Sequence, residues 1–187
     1  MAEEQKTVSM QICETTEADL NDILFIQREA FNSDKEANIT KELLVDPSAK
    51  PRLSLIAYSD CQPTGHILFT AAHLLNESKK VAISFLAPLG VTPEFQRQGI
   101  GGNLIRKGLE LLSKSNVDLV FVVGHPKYYP PHGFMPAHKL GFEPTYPIPE
   151  EHADAWMVQA LRPDVIGSVS GKVICCAALN KPELWRE

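Results

Sequence analysis

Residues 7–13 alternate polar and apolar side chains, the period of a half-buried strand. From Thr15-Thr16 the period lengthens. Leu20, Ile23, Leu24, Gln27 and Phe31 fall three or four apart, which predicts an amphipathic helix opened by a threonine cap with Glu17 and Asp19 in its first turn. Asn32-Ser33-Asp34 breaks it, and a second helix is expected over 35–45, stopped by Asp46-Pro47. Residues 52–59 and 65–75 read as strands joined by the turn 60–63, and 76–80 is a polar turn. The longest apolar stretch is 81–91. It contains Pro88, which cannot donate a ladder hydrogen bond and so predicts a bulge or a splay in mid-sheet.

Past 102 the helical period returns: Leu104, Ile105, Leu109, Leu111 and Leu112 share one face, and Arg106, Lys107, Glu110 and Lys114 the other. Residues 117–123 are almost continuously apolar, as in a strand buried on both faces. Residues 81–123 therefore read as a strand–helix–strand unit with parallel strands. The proline-rich run 126–131 allows only a short helix, and 153–161 and 168–176 read as further strands. No repeat or long linker divides the chain, so 1–187 is expected to be one domain, with a core over about 9–160 and an extension from 162 to 187.

The chain has 187 residues, 44% hydrophobic and 22% charged, with a net charge of −5. That size supports one real core. The negative charge argues against nucleic acid as a main partner, because phosphate-backbone binding needs clustered Lys and Arg. No run approaches the ~18 apolar residues of a membrane helix, and the acidic start Met-Ala-Glu-Glu does not read as a secretory signal. Cysteines fall at 13, 61, 175 and 176 without CxxC spacing, so no metal site is indicated and buried reduced thiols in a cytoplasmic protein are expected.

The candidate chemistry lies at Gln96-Arg97-Gln98-Gly99-Ile100-Gly101-Gly102, between the apolar strand and the amphipathic helix. Glycines let the backbone take positive φ and approach a ligand closely. The first N–H groups of a helix lack intrahelical partners and carry the positive end of its dipole, a combination that suits a phosphate. Two nucleotide motifs fail on counting. A GxGxxG pattern starting at Gly99 would need glycine where Leu104 stands, and a Walker loop would need Lys-Ser/Thr after Gly102, where Asn103-Leu104 stands.

With its flanks, the segment resembles the GNAT superfamily of acetyl-CoA-dependent N-acetyltransferases. The Gln/Arg-x-x-Gly-x-Gly/Ala signature is present as residues 96–101. Residues 89–95 look like the family's strand-four ending, and Tyr128-Tyr129-Pro130-Pro131-His132-Gly133-Phe134 is similar to its Tyr-x-x-x-Gly-Phe segment. The resemblance covers roughly 9–160. It implies an α/β (α+β) fold with a mixed, mostly antiparallel sheet of about 6–7 strands flanked by helices, in which parallel strands four and five splay apart. It implies acetyl-CoA as co-substrate, no metal, and an amine acceptor that is a small molecule or a protein. The cofactor would lie on Leu89, Gly90 and Val91 of strand four and on Gln96, Arg97, Gln98, Gly99, Ile100, Gly101 and Gly102, with Tyr129 as general acid for the departing thiolate. A second Gly-Phe turn, Gly141-Phe142, has Ala137 in the tyrosine's place, so the first register is preferred.

No general base stands out, because 81–90 holds no acid; Ser84, His125, His132, His138 and Glu94 are the weak alternatives. The missing acid keeps a non-catalytic acyl-CoA sensor open, and a plain nucleotide-binding domain is the third reading. Acceptor selection is expected from the first two helices (Glu29, Asp34, Lys35, Glu36) and from Glu150, Glu151, His152 and Asp154. Residues 167–176 would add a strand or form a homodimer contact.

Overall fold

The computed structural model describes residues 9–186. Strand β1 (Met10–Glu14) leads through a 3-10 turn into helix α1 (Leu20–Phe31), followed by α2 (Asp34–Val45), β2 (Leu53–Ser59), β3 (Gln62–Leu74) and β4 (Ile83–Val91). Helix α3 (Ile100–Lys114) and β5 (Leu119–Val123) complete the strand–helix–strand unit. Short strands β6 (Met135–Pro136) and β7 (Phe142–Glu143) precede β8 (Trp156–Ala160) and β9 (Gly171–Cys175).

The caps explain where the first helices begin. Thr16 and Asp19 form a reciprocal capping box, and the Ser33 hydroxyl accepts from the amide of Lys35 at 3.0 Å to start α2. The αL residue Asn32 ends α1 between them.

The main sheet runs β1-β2-β3-β4-β5-β8-β6, antiparallel at each junction except β4–β5, which is parallel as expected. Among the described residues there are nine strands, against an expectation of about six or seven. The surplus is β6 and β7, each two residues long; β9, inside the strand expected over 168–176, pairs with the far end of β3 at Ala72–Cys175. The segment expected to be either a strand or a dimer contact is thus a strand of the chain's own sheet.

Pro88 produces the predicted irregularity. β3 pairs Ile67 with Leu89 and Phe69 with Leu86, so Ala87 and Pro88 together oppose one residue, Leu68. A bulge of one residue reverses the alternation of side chains beyond it. Phe85 and Ala87 pack on one face of the sheet, whereas Leu86, Leu89 and Val91 all join the cluster on the α3 face. β4–β5 pairing ends at the same point, at Leu86–Val122.

Helix α3 covers one face through Ile100, Leu104, Ile105 and Leu112. On the other face, α1 packs Ile23 and Ile26 on Ile56, while Leu43 of α2 joins Phe121, Trp156 and Trp185. The tail is latched to the end of α2. The Asp46 carboxylate accepts from the amide of Ala178 at 2.9 Å, and the Ser48 hydroxyl accepts from that of Ala177 at 2.8 Å. The expectation of buried thiols holds for Cys175 and Cys176 only. Cys13, within the edge strand β1, and Cys61, in the β2–β3 turn, are exposed.

α3 approaches the sheet closely because Gly108 has no side chain; a Cβ there would lie 2.3 and 2.6 Å from two ring carbons of the buried Phe69. Gly108→Ala therefore overpacks the core. Urea unfolding should show a loss of about 1–3 kcal/mol despite the better helix propensity of alanine.

Candidate active site

The end of β4–β5 pairing opens a gap between two parallel strands, and the ladder on the other side of β4 sets what faces it. Thr92 donates its amide to Thr64 at 2.9 Å. Antiparallel alternation then makes His66–Gly90 the next hydrogen-bonded pair and turns the N–H and C=O groups of Leu89 and Val91 away from β3, into the gap. The Val91 carbonyl already has a partner there, the Gln96 side-chain amide at 3.0 Å.

At the foot of the gap α3 begins without a side-chain cap. Its N-cap is Gly99 at φ 83°, reached through Arg97 at φ 61°. The first helical bond runs from Asn103 to the Gly99 carbonyl at 3.0 Å, which leaves the amides of Ile100, Gly101 and Gly102 without a partner among the described residues. Ser33 fills this position at α2, and Thr16 caps the 3-10 turn that leads into α1, whereas α3 has no such side chain. Unpaired amides at the positive end of a 15-residue helix are an anion site.

An aromatic wall faces that helix end. The Tyr128 hydroxyl would be 2.3 Å from a Cβ on Gly101, and the His132 ring 3.0 Å from one on Gly102. Tyr129 is 8% exposed and meets Tyr128 and Phe134 edge-on at 5.0 and 5.6 Å. Burial, more than the neighbouring Tyr128, pushes its phenol well above the ordinary value, so it is protonated at neutral pH. Burial also raises Tyr128, and desolvation followed by Arg106 lowers His132.

Gly90 is turned the other way, toward α1. A Cβ there would come within 2.6 Å of the Gln27 side-chain oxygen. Gln27 is fully buried and its Nε2 lies 2.8 Å from Nδ1 of His66, whose Nε2 lies 2.8 Å from the Ser54 hydroxyl. Burial lowers the His66 pKa to about 3, so this imidazole stays neutral and acts as a rigid spacer beneath β4.

A cavity of about 1180 Å³ joins the gap to the start of α3. Leu89, Val91, Gln96, Arg97, Gly99, Ile100, Gly101 and Gly102 line it, as does Tyr129. Gly90 and Gln98 lie outside it, Gln98 with its side chain bonded to the Glu94 carbonyl at 3.1 Å. Among the described residues no group of His, Cys, Asp and Glu is arranged to hold a metal ion, and no helix is long and apolar enough to cross a membrane.

Comparison with known proteins decides the family. The profile of the acetyltransferase (GNAT) domain matches residues 11–137. The uncharacterized N-acetyltransferase YjhQ of Escherichia coli K12 is 44% identical over 162 residues, 86% of this chain and 89% of that protein.

The chain belongs to the GNAT acetyltransferase family.

Two solved structures share its fold. Escherichia coli YhbS in complex with CoA superposes with a TM-score of 0.84 at 24% identity, covering 96% of this chain and 97% of that one. A GNAT acetyltransferase of Brucella melitensis in complex with acetyl-CoA gives 0.72 at 27% identity, covering 91% and 98%.

Around the GNAT cavity the weaker base candidates separate. Ser84 is buried in β4, Glu94 lies outside the cavity, and His138 is 3.7 Å from Asp154, also outside it. His125 and His132 line the cavity; Nδ1 of His125 accepts from the Lys127 amide at 3.2 Å. The Gln27–His66 support and the nearness of Tyr128 to Gly101 are not read from the motifs. A polar Gln27 on the apolar stripe of α1 was the available signal for the first, since a polar residue at a core position needs a buried partner.

Gly101→Ala should evict the Tyr128 hydroxyl at little cost to the fold, because Tyr128 is 41% exposed and free to turn outward. A stability cycle of Gly101→Ala with Tyr128→Phe should then show coupling of about 0.5 kcal/mol or more. Additive effects would place the hydroxyl elsewhere.

Proposed function

We propose that this GNAT protein moves the acetyl group of acetyl-CoA to a primary amine by direct attack, with residues 1–187 acting as one catalytic unit. The carrying observation is the pairing of an uncapped glycine start on α3 with a β4 edge left open past Leu86. The CoA- and acetyl-CoA-bound relatives support the same reading.

In this reading the free amides of Ile100, Gly101 and Gly102 take the pyrophosphate, and Arg97 adds a cation at the cavity rim. The pantetheine arm lies against β4 as an extra strand, bonding to Leu89 and Val91. The Leu89 N–H faces the gap and is the amide available to the thioester oxygen, where it would stabilise charge that appears only in the transition state. Gly90 contributes indirectly. Its missing side chain lets α1 press Gln27 against β4, which fixes the strand that carries Leu89 and Val91.

Attack needs a neutral amine. Its lone pair forms the N–C bond, the C–S bond breaks, and the electron pair leaves on sulfur. Tyr129, protonated and lining the cavity, is the donor to that sulfur. A phenol held above its usual pKa is a weak acid toward a thiolate of pKa about 8.5, so hydrogen bonding to the leaving sulfur contributes more than complete proton transfer. The acceptor ammonium loses its proton to water, since the cavity-lining part of β4 carries no carboxylate.

CoA-release assays over a panel of amines test this directly. Tyr129→Phe should lower kcat by about 10²-fold while changing CoA affinity little. Unchanged kcat would remove Tyr129 from the mechanism. If Tyr128→Phe instead carries the loss, the acid is Tyr128, whose hydroxyl lies over Gly101. CoA binding with no amine acetylated would favour the acyl-CoA sensor.

A further inference from the structure

The cavity continues beyond the gap, away from α3, into a space bounded by α2, the loop before β8 and the tail. Its walls there are apolar: Ile39, Leu43, Phe85, Ile148, Leu184 and Trp185. A volume of about 1180 Å³ exceeds the usual upper range of a one-ligand pocket, about 1000 Å³, which fits a site for two substrates.

Two charged residues of α2, Lys35 and Glu36, break its apolar surface toward the cavity. Glu36 lines the cavity, and its Oε2 is shut off from solvent with no hydrogen-bond partner among the described residues. A carboxylate with one oxygen withdrawn from water without a donor is unfavourable, and a cation held against the cavity-lining part of the same carboxylate compensates its charge. The other charged groups at this end are Lys35, Glu151, His152 and Asp154. Asp154 already has Lys139 at 3.6 Å and His138 at 3.7 Å. Glu29 and Asp34, also in the first two helices, are not among the lining residues, and Asp34 is paired with Arg28.

We propose that this end of the cavity selects a primary amine carried on an apolar alkyl or aryl body, with Glu36 holding the ammonium. The proposal rests on the acetyl-transfer reading and specifies its acceptor. An ammonium offers three donors to the carboxylate. The aliphatic and aromatic walls gain from burying hydrocarbon, whereas a polyamine or an amino sugar would bring polar groups against them. In the reaction R–NH3+ gives one proton to water, the amine nitrogen bonds the acetyl carbon, and the thioester C–S bond breaks. The thiolate is protonated as the second N–H proton departs, so one proton is released overall.

The test is calorimetry on the full-length protein saturated with CoA, using 3-phenylpropylamine, 3-phenylpropan-1-ol and spermidine. The aryl amine should bind at least about tenfold more tightly than the alcohol and the polyamine, and Glu36→Gln should remove about tenfold of that affinity while leaving CoA affinity unchanged. Equal binding of amine and alcohol, a preference for spermidine, or an indifferent Glu36→Gln would overturn the proposal. The amine–alcohol comparison needs no variant, so it decides the matter even if Glu36→Gln folds poorly. Acetyl transfer is followed in parallel. Amine binding without transfer would overturn the enzymatic reading and leave the amine site standing.

Discussion

The site depends on one interruption in a hydrogen-bonded ladder. Where Ala87 and Pro88 oppose Leu68, β4 takes in an extra residue, and its pairing with β5 ends at Leu86–Val122. Two consequences follow from that one defect. The open edge of β4 offers backbone donors and acceptors to a ligand, and the reversal of alternation keeps Leu89 and Val91 packed on the α3 side while Gly90 faces α1. An unbroken ladder would bury those backbone groups in a fifth strand and put a different set of side chains toward each helix.

The second constraint is the start of α3. Ser33 caps α2 and Thr16 the turn into α1, but the start of α3 is left to a glycine. The amides left over lie beside the open edge of β4 because α3 is drawn close to the sheet by Gly108 under Phe69. Gap and helix end thus form one continuous groove. The aromatic pair Tyr128–Tyr129 closes its side, and the tail, latched by Asp46 and Ser48, supplies Leu184 and Trp185 to its far wall.

Much of this was legible in the chain. Periodicity located the three helices and the long strands to within a few residues, because each buries one stripe or one face. Pro88 announced the bulge, and counting glycines separated this turn from the nucleotide motifs. What escaped depends on tertiary contact. β6 and β7 are two residues long each and owe their pairing to neighbours rather than to a pattern of their own. The outward turn of Gly90 required the register, since only the parity across the bulge says which side a residue faces. The far wall of the cavity joins α2 to residues more than a hundred positions away, and no local signal links Glu36 to Trp185.

The most direct test of the account is an amide NMR titration of the protein with coenzyme A. Shifts concentrated at Leu89, Val91 and the three free amides of α3, Ile100 to Gly102, with Gly90 and the α1 residues around Gln27 moving less, are the expected result. Undisturbed α3 amides, or shifts centred away from the β4–β5 gap, would contradict the claim that the broken ladder and the uncapped helix form the binding groove.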